Sequence, residues 1–457
     1  SNMKFKFLIF SLFVSGSVMA QEVPITFQQA VKRLVKNPAL EASNYEWEAA
    51  NKERKAAKSL RSPQIGLIAN YTFMQKDIKI DINDMKPKAQ QILGGLLPQL
   101  STNPIVGSLF ASDWSATIQE RNFGFIAATA KMPIYMGGKI NAAYNFSKLQ
   151  VNEVEQKRAQ VNGELFSELV ERYFGLALSY KVIEIRREVE EGMKHHFHDA
   201  VELEKNGIVA KGERLYAEMY YSKAVTESQK ALRDCETINY ALCNTLSDSV
   251  VFVPQTEIFI GASLQDLASY KQLAKEHNPK LKQVRIKEDM AREGVRAARS
   301  EFIPHLSAIG GVNAYSNNVT ELLPTAAVGV NLTFNIFNGL NREFKYGATK
   351  MKVKQVEALG RKGEEDIATL VTKIYAELIS LTEQYTSEGK TLEFAEEYLR
   401  IKEKAFSEGM APSSDVVDAR LNLAKAKIDR LQIAYKYDVT LAKLAEVCGD
   451  NNLFNIR

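Results

Sequence analysis

The sequence predicts an α+β membrane protein in which each chain lends four strands to a β-barrel that only several copies can close, continued by a long α-helical tube. Three observations predict it. The chain is written twice, each copy holds a strand pair with period-two polarity, and each pair is followed by 68 residues free of proline. The general balance of the chain excludes several other classes. Its 457 residues carry 59 Lys+Arg against 55 Asp+Glu, a net charge of +4 to which Lys4 and Lys6 of the leader contribute two. Nucleic-acid binders usually concentrate positive charge, so no nucleic-acid partner is expected. Beyond the N-terminus there is no run of 18 apolar residues, which argues against a helical membrane protein. Three cysteines (Cys235, Cys243, Cys448) are too few for a disulfide scaffold and form no CxxC pair. No P-loop, HExxH or GxGxxG is present. Neither catalysis nor a cofactor is therefore expected.

Residues 1–20 read as an address. Ser1-Asn2 reads as an expression scar, Met3-Lys-Phe-Lys is a basic start, Phe7–Val14 is apolar, and small residues lead to Ala20. This is the pattern of a secretory signal peptide cleaved near Ala20. No cysteine stands at the cut, so no lipid anchor is expected there. The mature chain divides into a first repeat (21–248), a linker (249–262) and a second repeat (263–457).

The repeat rests on spacing. Asn37-Pro38 precedes Pro63 as Asn278-Pro279 precedes Pro304, the prolines standing 25 residues apart each time. Further on, Ile134-Tyr-Met-Gly137-Gly138 matches Ile336-Phe-Asn-Gly339-Leu340 at an offset of 202, which also places Tyr173 on Tyr375 and Gly207 on Gly409. The first offset is 241, so copy one holds 39 extra residues between Tyr71 and Arg121, within one loop of about Gln75–Glu120. Fixed-period self-similarity of this kind marks a duplicated structural unit.

Each copy reads as helix, strand, strand, long helix, returning helix. The first helix runs from Pro38 or Pro279 and ends before Pro63 or Pro304, since proline cannot continue it. Ile65, Leu67, Ala69, Tyr71 and Phe73 then alternate along a strand. The clearest strand is Ala326–Phe337, with Ala326, Val328, Val330, Leu332, Phe334 and Ile336 on one side and small or polar residues on the other, as a bilayer-crossing strand requires. His305–Tyr315 and Asn122–Met132 are weaker versions. From Lys139 and Asn341 the pattern becomes helical. Leu165, Leu169, Tyr173, Leu176, Tyr180 and Ile183, and likewise Ile367, Val371, Ile374, Leu378, Leu381 and Tyr385, recur at helical spacing. At 1.5 Å per residue each long helix extends about 100 Å. The returning helices, Glu213–Asp248 and Asp415–Val447, follow Gly207 and Gly409. In lipid every backbone polar group must be paired, so a membrane sheet must close on itself. Four strands are too few, because the smallest membrane barrels use eight. Three chains would supply twelve strands and a twelve-helix tube.

The duplicated Asn-Pro starts, the breaks at Pro63 and Pro304, the Pro133-Ile-Tyr-Met-Gly137-Gly138 strand exit and the stretch from Gly409 to Leu421 together resemble the TolC family of trimeric outer-membrane efflux channels, over nearly all of the mature length. The resemblance implies a homotrimer with a single 12-stranded barrel among outer-membrane lipid and an α-helical coiled-coil barrel reaching through the periplasm. It implies a passive exit duct for small molecules, served by a periplasmic adaptor that docks at the hairpin tips (Gly207, Gly409) and by an inner-membrane efflux transporter. The alternative within the class is the outlet of a type I protein secretion system. The resemblance also places an equatorial belt around 249–277 and the C-terminus.

In Phe406-Ser-Glu-Gly409-Met-Ala-Pro-Ser-Ser-Asp415-Val-Val-Asp418, Asp415 and Asp418 match the family's constriction carboxylates, and their three-residue spacing puts them on one helix face. Converging across a trimer, they would favour cations. A plainer role coexists: acids in a helix's first turn, capped by Ser413 or Ser414, offset the helix dipole. In copy one the matching residues are Glu213 and Tyr216, which would not supply the ring. The family archetype has a Tyr and an Arg that latch the closed mouth; here Phe406 and Ala411 take their places, so locking uses other groups or is weaker. His195 and His198 share a face, but no acid or cysteine at fixed spacing completes a metal site, and a solvated helix face is the expectation. The extra loop, with Ile92-Leu-Gly-Gly-Leu-Leu-Pro-Gln-Leu100, would face outside the cell; such a loop is often functional. A periplasmic adaptor would need one hairpin flanked by β-rich halves, and a periplasmic enzyme a convergent pocket; neither pattern is present.

Overall fold

The computed structural model describes residues 22–261, 264–321 and 324–455. The signal-peptide reading of residues 1–20 and the repeat boundary at 262–263 fall outside the described residues. Eleven α-helices and eight strands follow one another there: β1 (Glu22–Ile25), α1 (Phe27–Arg33), α2 (Pro38–Ser59), β2 (Gln64–Phe73), β3 (Ile78–Asp81), α3 (Lys86–Leu96), α4 (Pro98–Ser101), α5 (Pro104–Ala111), β4 (Ser115–Gln119), β5 (Asn122–Tyr135), α6 (Lys139–Lys205), α7 (Lys211–Leu246), β6 (Val251–Pro254), α8 (Leu267–His277), α9 (Pro279–Ser300), β7 (His305–Asn317), β8 (Ala326–Thr333), α10 (Asn341–Ser407) and α11 (Ser413–Cys448). The described residues form two compact units, one of 22–50, 150–261, 264–288 and 355–455, the other of 51–149, 289–321 and 324–354. Each unit draws on both halves of the sequence.

The repeat is visible in the lengths. Helices α2 and α9 both have 22 residues, α6 and α10 both 67, α7 and α11 both 36. It is also visible in the hydrogen bonds. Asn37 Oδ1 accepts from the amide of Ala39, while its Nδ2 donates to the carbonyl of Thr245. Asn278 Oδ1 accepts from Lys280 and Leu281, and its Nδ2 donates to Val447. Asparagine thus serves as N-cap before a proline at the first helical position, and its amide also secures the last turn of the returning helix. Thr245 and Val447 are related by the same offset of 202.

The strand unit holds a four-stranded antiparallel sheet in the order β2-β5-β7-β8. Its register builds continuous rows: Ile65–Ala130–Gly310–Val328 and Leu67–Ala128–Val312–Ala326 on one face, Gln64–Lys131–Ile309–Gly329 and Gly66–Thr129–Gly311–Ala327 on the other. The apolar face lies open, with Ile65 81%, Leu67 76% and Val328 92% exposed. The opposite face is largely small and polar, with Ile68, Phe123, Phe125 and Ile309 as exceptions. Among the described residues β2 and β8 each have one unpaired edge. No described helix is long and apolar enough to cross a membrane. Strand β8 stops at Thr333 rather than Phe337, because its partner β7 begins at His305 directly after Pro304 and offers nothing beyond. The glycine before each long helix is left-handed, φ +59° at Gly137 and +69° at Gly339; a Cβ on Gly137 would lie 2.8 Å from the carbonyl oxygen of Ser300.

The extra segment is more ordered than a loop. Strands β3 and β4 pair as a hairpin, and α3, α4 and α5 lie between them in sequence. The side chain of Asn83 ties its base, accepting from the amide of Trp114 and donating to Asp113.

The helical unit is built around one large apolar cluster, with smaller ones nearer the interhelical turns. Leu165, Leu169, Tyr173, Leu176 and Ile183 of α6 and Val371, Ile374, Leu378 and Leu381 of α10 are buried, as their spacing predicts, with Tyr180, Ile367 and Tyr385 half-buried. β1 and β6 form a parallel pair, and Phe252 and Phe454 complete the core. The Tyr173 hydroxyl donates to the carbonyl of Ile25 and accepts from the amides of Gln255 and Thr256, so it fixes the segment after β6.

Candidate functional site

The two interhelical turns close identically. Gly207 and Gly409 are left-handed, at φ +73° and +71°. In the first turn the amide of Ile208 bonds Leu203 and that of Gly207 bonds Glu204; in the second, Met410 bonds Ala405 and Gly409 bonds Phe406. This paired pattern is the Schellman ending, which requires a residue at positive φ and so favours glycine. The tips touch: a Cβ on Gly409 would be 3.2 Å from Cγ2 of Ile208.

The start of α11 differs from expectation. Its N-cap is Pro412, with no side-chain cap of its own. The negative group comes instead from the other hairpin: Glu213 Oε2 accepts the amide of Ser413 at 2.7 Å. Neither Ser413 nor Ser414 therefore caps, because a full carboxylate answers the helix dipole better than a hydroxyl. The freed Ser413 hydroxyl lies 2.6 Å from His196 Nε2. Glu213, Ser413 and His196 thus bind the two hairpins by polar contacts where Phe406 and Ala411 have none to offer. Phe406 is 3% exposed, packed with Ala200, Ala217 and Val416, and its ring centroid is 4.6 Å from that of His196.

Asp415 and Asp418 are in different surroundings. Asp415 is half-buried and accepts from Lys402 Nζ at 2.7 Å. Lys402 also lies 5.4 Å from the Tyr398 ring centroid. Asp418 is exposed and has no ion-pair partner among the described residues. Its charge, with the Tyr220 hydrogen bond as the larger cause, helps push the Tyr216 phenol up to about 12.

Three participants escape a reading by motif. His196 is 4% exposed, unlike its neighbours His195 and His198 on the solvated side. Burial, with the Arg420 guanidinium nearby, pushes its imidazole down to about 4. The signal was present, since Ile185, Val189, Met193, His196 and Ala200 continue the apolar stripe at helical spacing. Arg420 pairs with Glu403 and lies across Gly192, where a Cβ would be 1.7 Å from a guanidinium nitrogen. Nothing in the sequence near Gly192 announces that crossing. Among the described residues no group of three His, Cys, Asp or Glu could hold a metal ion.

The description "outer membrane efflux protein" belongs to the family whose pattern matches residues 30–218 and 271–450. The chain is 23% identical to the outer membrane protein TolC of Vibrio cholerae, over 95% of this chain and 92% of the relative. In structure it resembles VceC of Vibrio cholerae (TM-score 0.70, 14% identity, 93% of this chain and 96% of the other) and the outer-membrane channel OprN (TM-score 0.74, 14% identity, 93% and 89%). It also resembles the CmeC outer membrane channel of Campylobacter jejuni (TM-score 0.67, 17% identity, 93% and 86%). One matched block lies in each half of the sequence, and together they cover most of it: this chain belongs to the outer membrane efflux protein family.

Proposed function

We propose that the protein is the outer-membrane exit duct of a tripartite efflux system, passing small molecules outward without spending energy itself. The observation that carries the reading is the sheet. One face is apolar and exposed, the other is small and largely polar, and among the described residues both edges lack partners. A sheet with such a face is at ease in lipid only if its edges are paired. Three copies, arranged around one axis, would pair them as twelve strands. The 67-residue helices would then continue the wall into the periplasm, with Gly207 and Gly409 at the tips that receive an adaptor and Asp415 and Asp418 at the constriction. An inner-membrane pump supplies the driving force.

The test is direct. The mature chain expressed with its leader should fractionate with outer membranes as a trimer, and its deletion should raise intracellular accumulation of small toxic compounds. Recovery as a soluble periplasmic monomer would sink the proposal.

A further inference from the structure

We propose that Lys402 sets the ion preference of the mouth by neutralising Asp415, so that of the two constriction carboxylates only Asp418 is left uncompensated. The inference rests on the constriction reading above and refines it. Two carboxylates on one helix face suggest six converging charges in a trimer. The side chains give another number. Lys402 reaches across from α10 to Asp415 on α11 at 2.7 Å. It is held there from a second side by the Tyr398 ring, itself stacked on Phe394. The Asp415 hydrogen bond keeps the Lys402 ammonium above its ordinary value, so Lys402 stays charged at neutral pH. The neighbouring cation, Arg420, is taken up by Glu403 and leaves Asp418 uncompensated. Each tip thus contributes one net negative charge from Lys402, Asp415 and Asp418, where the carboxylates alone would contribute two.

The arithmetic predicts a pattern that no single substitution gives. Reversal potentials are measured in planar bilayers across a KCl gradient near 0.1 M, where charges about 10 Å from a permeating ion are still felt. Asp418→Asn and Asp415→Asn should each lower the cation-to-anion permeability ratio, the latter because it frees Lys402. Lys402→Gln should raise that ratio about three- to tenfold. The double variant Lys402→Gln/Asp415→Asn should return to the wild-type ratio. If Asp418→Asn shifts selectivity while Lys402→Gln does not, or the double variant fails to restore it, the role of Lys402 is overturned and the constriction stands. If all four variants keep the wild-type ratio, the constriction reading falls and takes this inference with it.

Discussion

Acidification should loosen the joint between the two hairpins, and His196 should be the cause. Its imidazole is held at about 4 against an ordinary 6.5, so above pH 6.5 it is neutral in both the closed and the opened tip. As the pH falls, the opened tip, where water reaches the ring, takes up a proton that the closed tip resists. The stabilisation is therefore complete above about 6.5, erodes below it and is exhausted near 4. Between pH 7 and pH 5 the linkage relation gives a loss of about 2 kcal/mol, roughly a twentyfold rise in the opening equilibrium. The assay is hydrogen exchange read by mass spectrometry on peptides covering 405–420, corrected for the intrinsic pH dependence of exchange. His196→Gln keeps an amide within reach of the Ser413 hydroxyl and cannot titrate, so its opening should be flat over the same range. Equal pH responses in the two proteins, or a wild-type tip equally protected at pH 7 and pH 5, would refute the reasoning.

Three further outcomes are expected. Gly192→Ala should displace the Arg420 guanidinium and its Glu403 partner, costing about 1–3 kcal/mol and raising exchange in the same peptides. Tyr173→Phe removes a hydroxyl that serves three backbone groups and should cost about 2 kcal/mol, seen as a lower midpoint of thermal unfolding with the assembly state unchanged. Val330→Lys places a charge on the apolar sheet face at about 2–4 kcal/mol per chain in lipid, and the trimer yield in outer membranes should fall; an unchanged yield would mean that this face does not meet lipid.

Period and spacing carried much of the architecture. The Asn-Pro starts, the proline breaks, the two long helices and their buried stripes follow from local rules that hold wherever the chain goes. Reading failed where a partner 200 residues away decides. The Glu213 carboxylate displaces the serines as cap of α11, and no local pattern near Ser413 points to it. His196 was legible as part of a stripe but was hidden between two exposed histidines that drew attention to the wrong face. The end of β8 depends on where Pro304 lets its neighbour begin. The segment 75–120 reads as a loop because its helices are short and none of its described side chains is buried. Asp415 and Asp418 look equivalent in the sequence, and only the reach of Lys402 separates them.

The two asparagine staples have a mechanical corollary. Asn37 fastens the root of the first returning helix and Asn278 that of the second, each within its own half of the polypeptide. The far ends are held by the small apolar cluster of Ala200, Ala217, Phe406 and Val416 together with a few polar bonds, one of which titrates. Each 36-residue returning helix is thus a lever clamped at its base and buttoned at its free end, so undoing the polar button leaves the hinges of both levers intact.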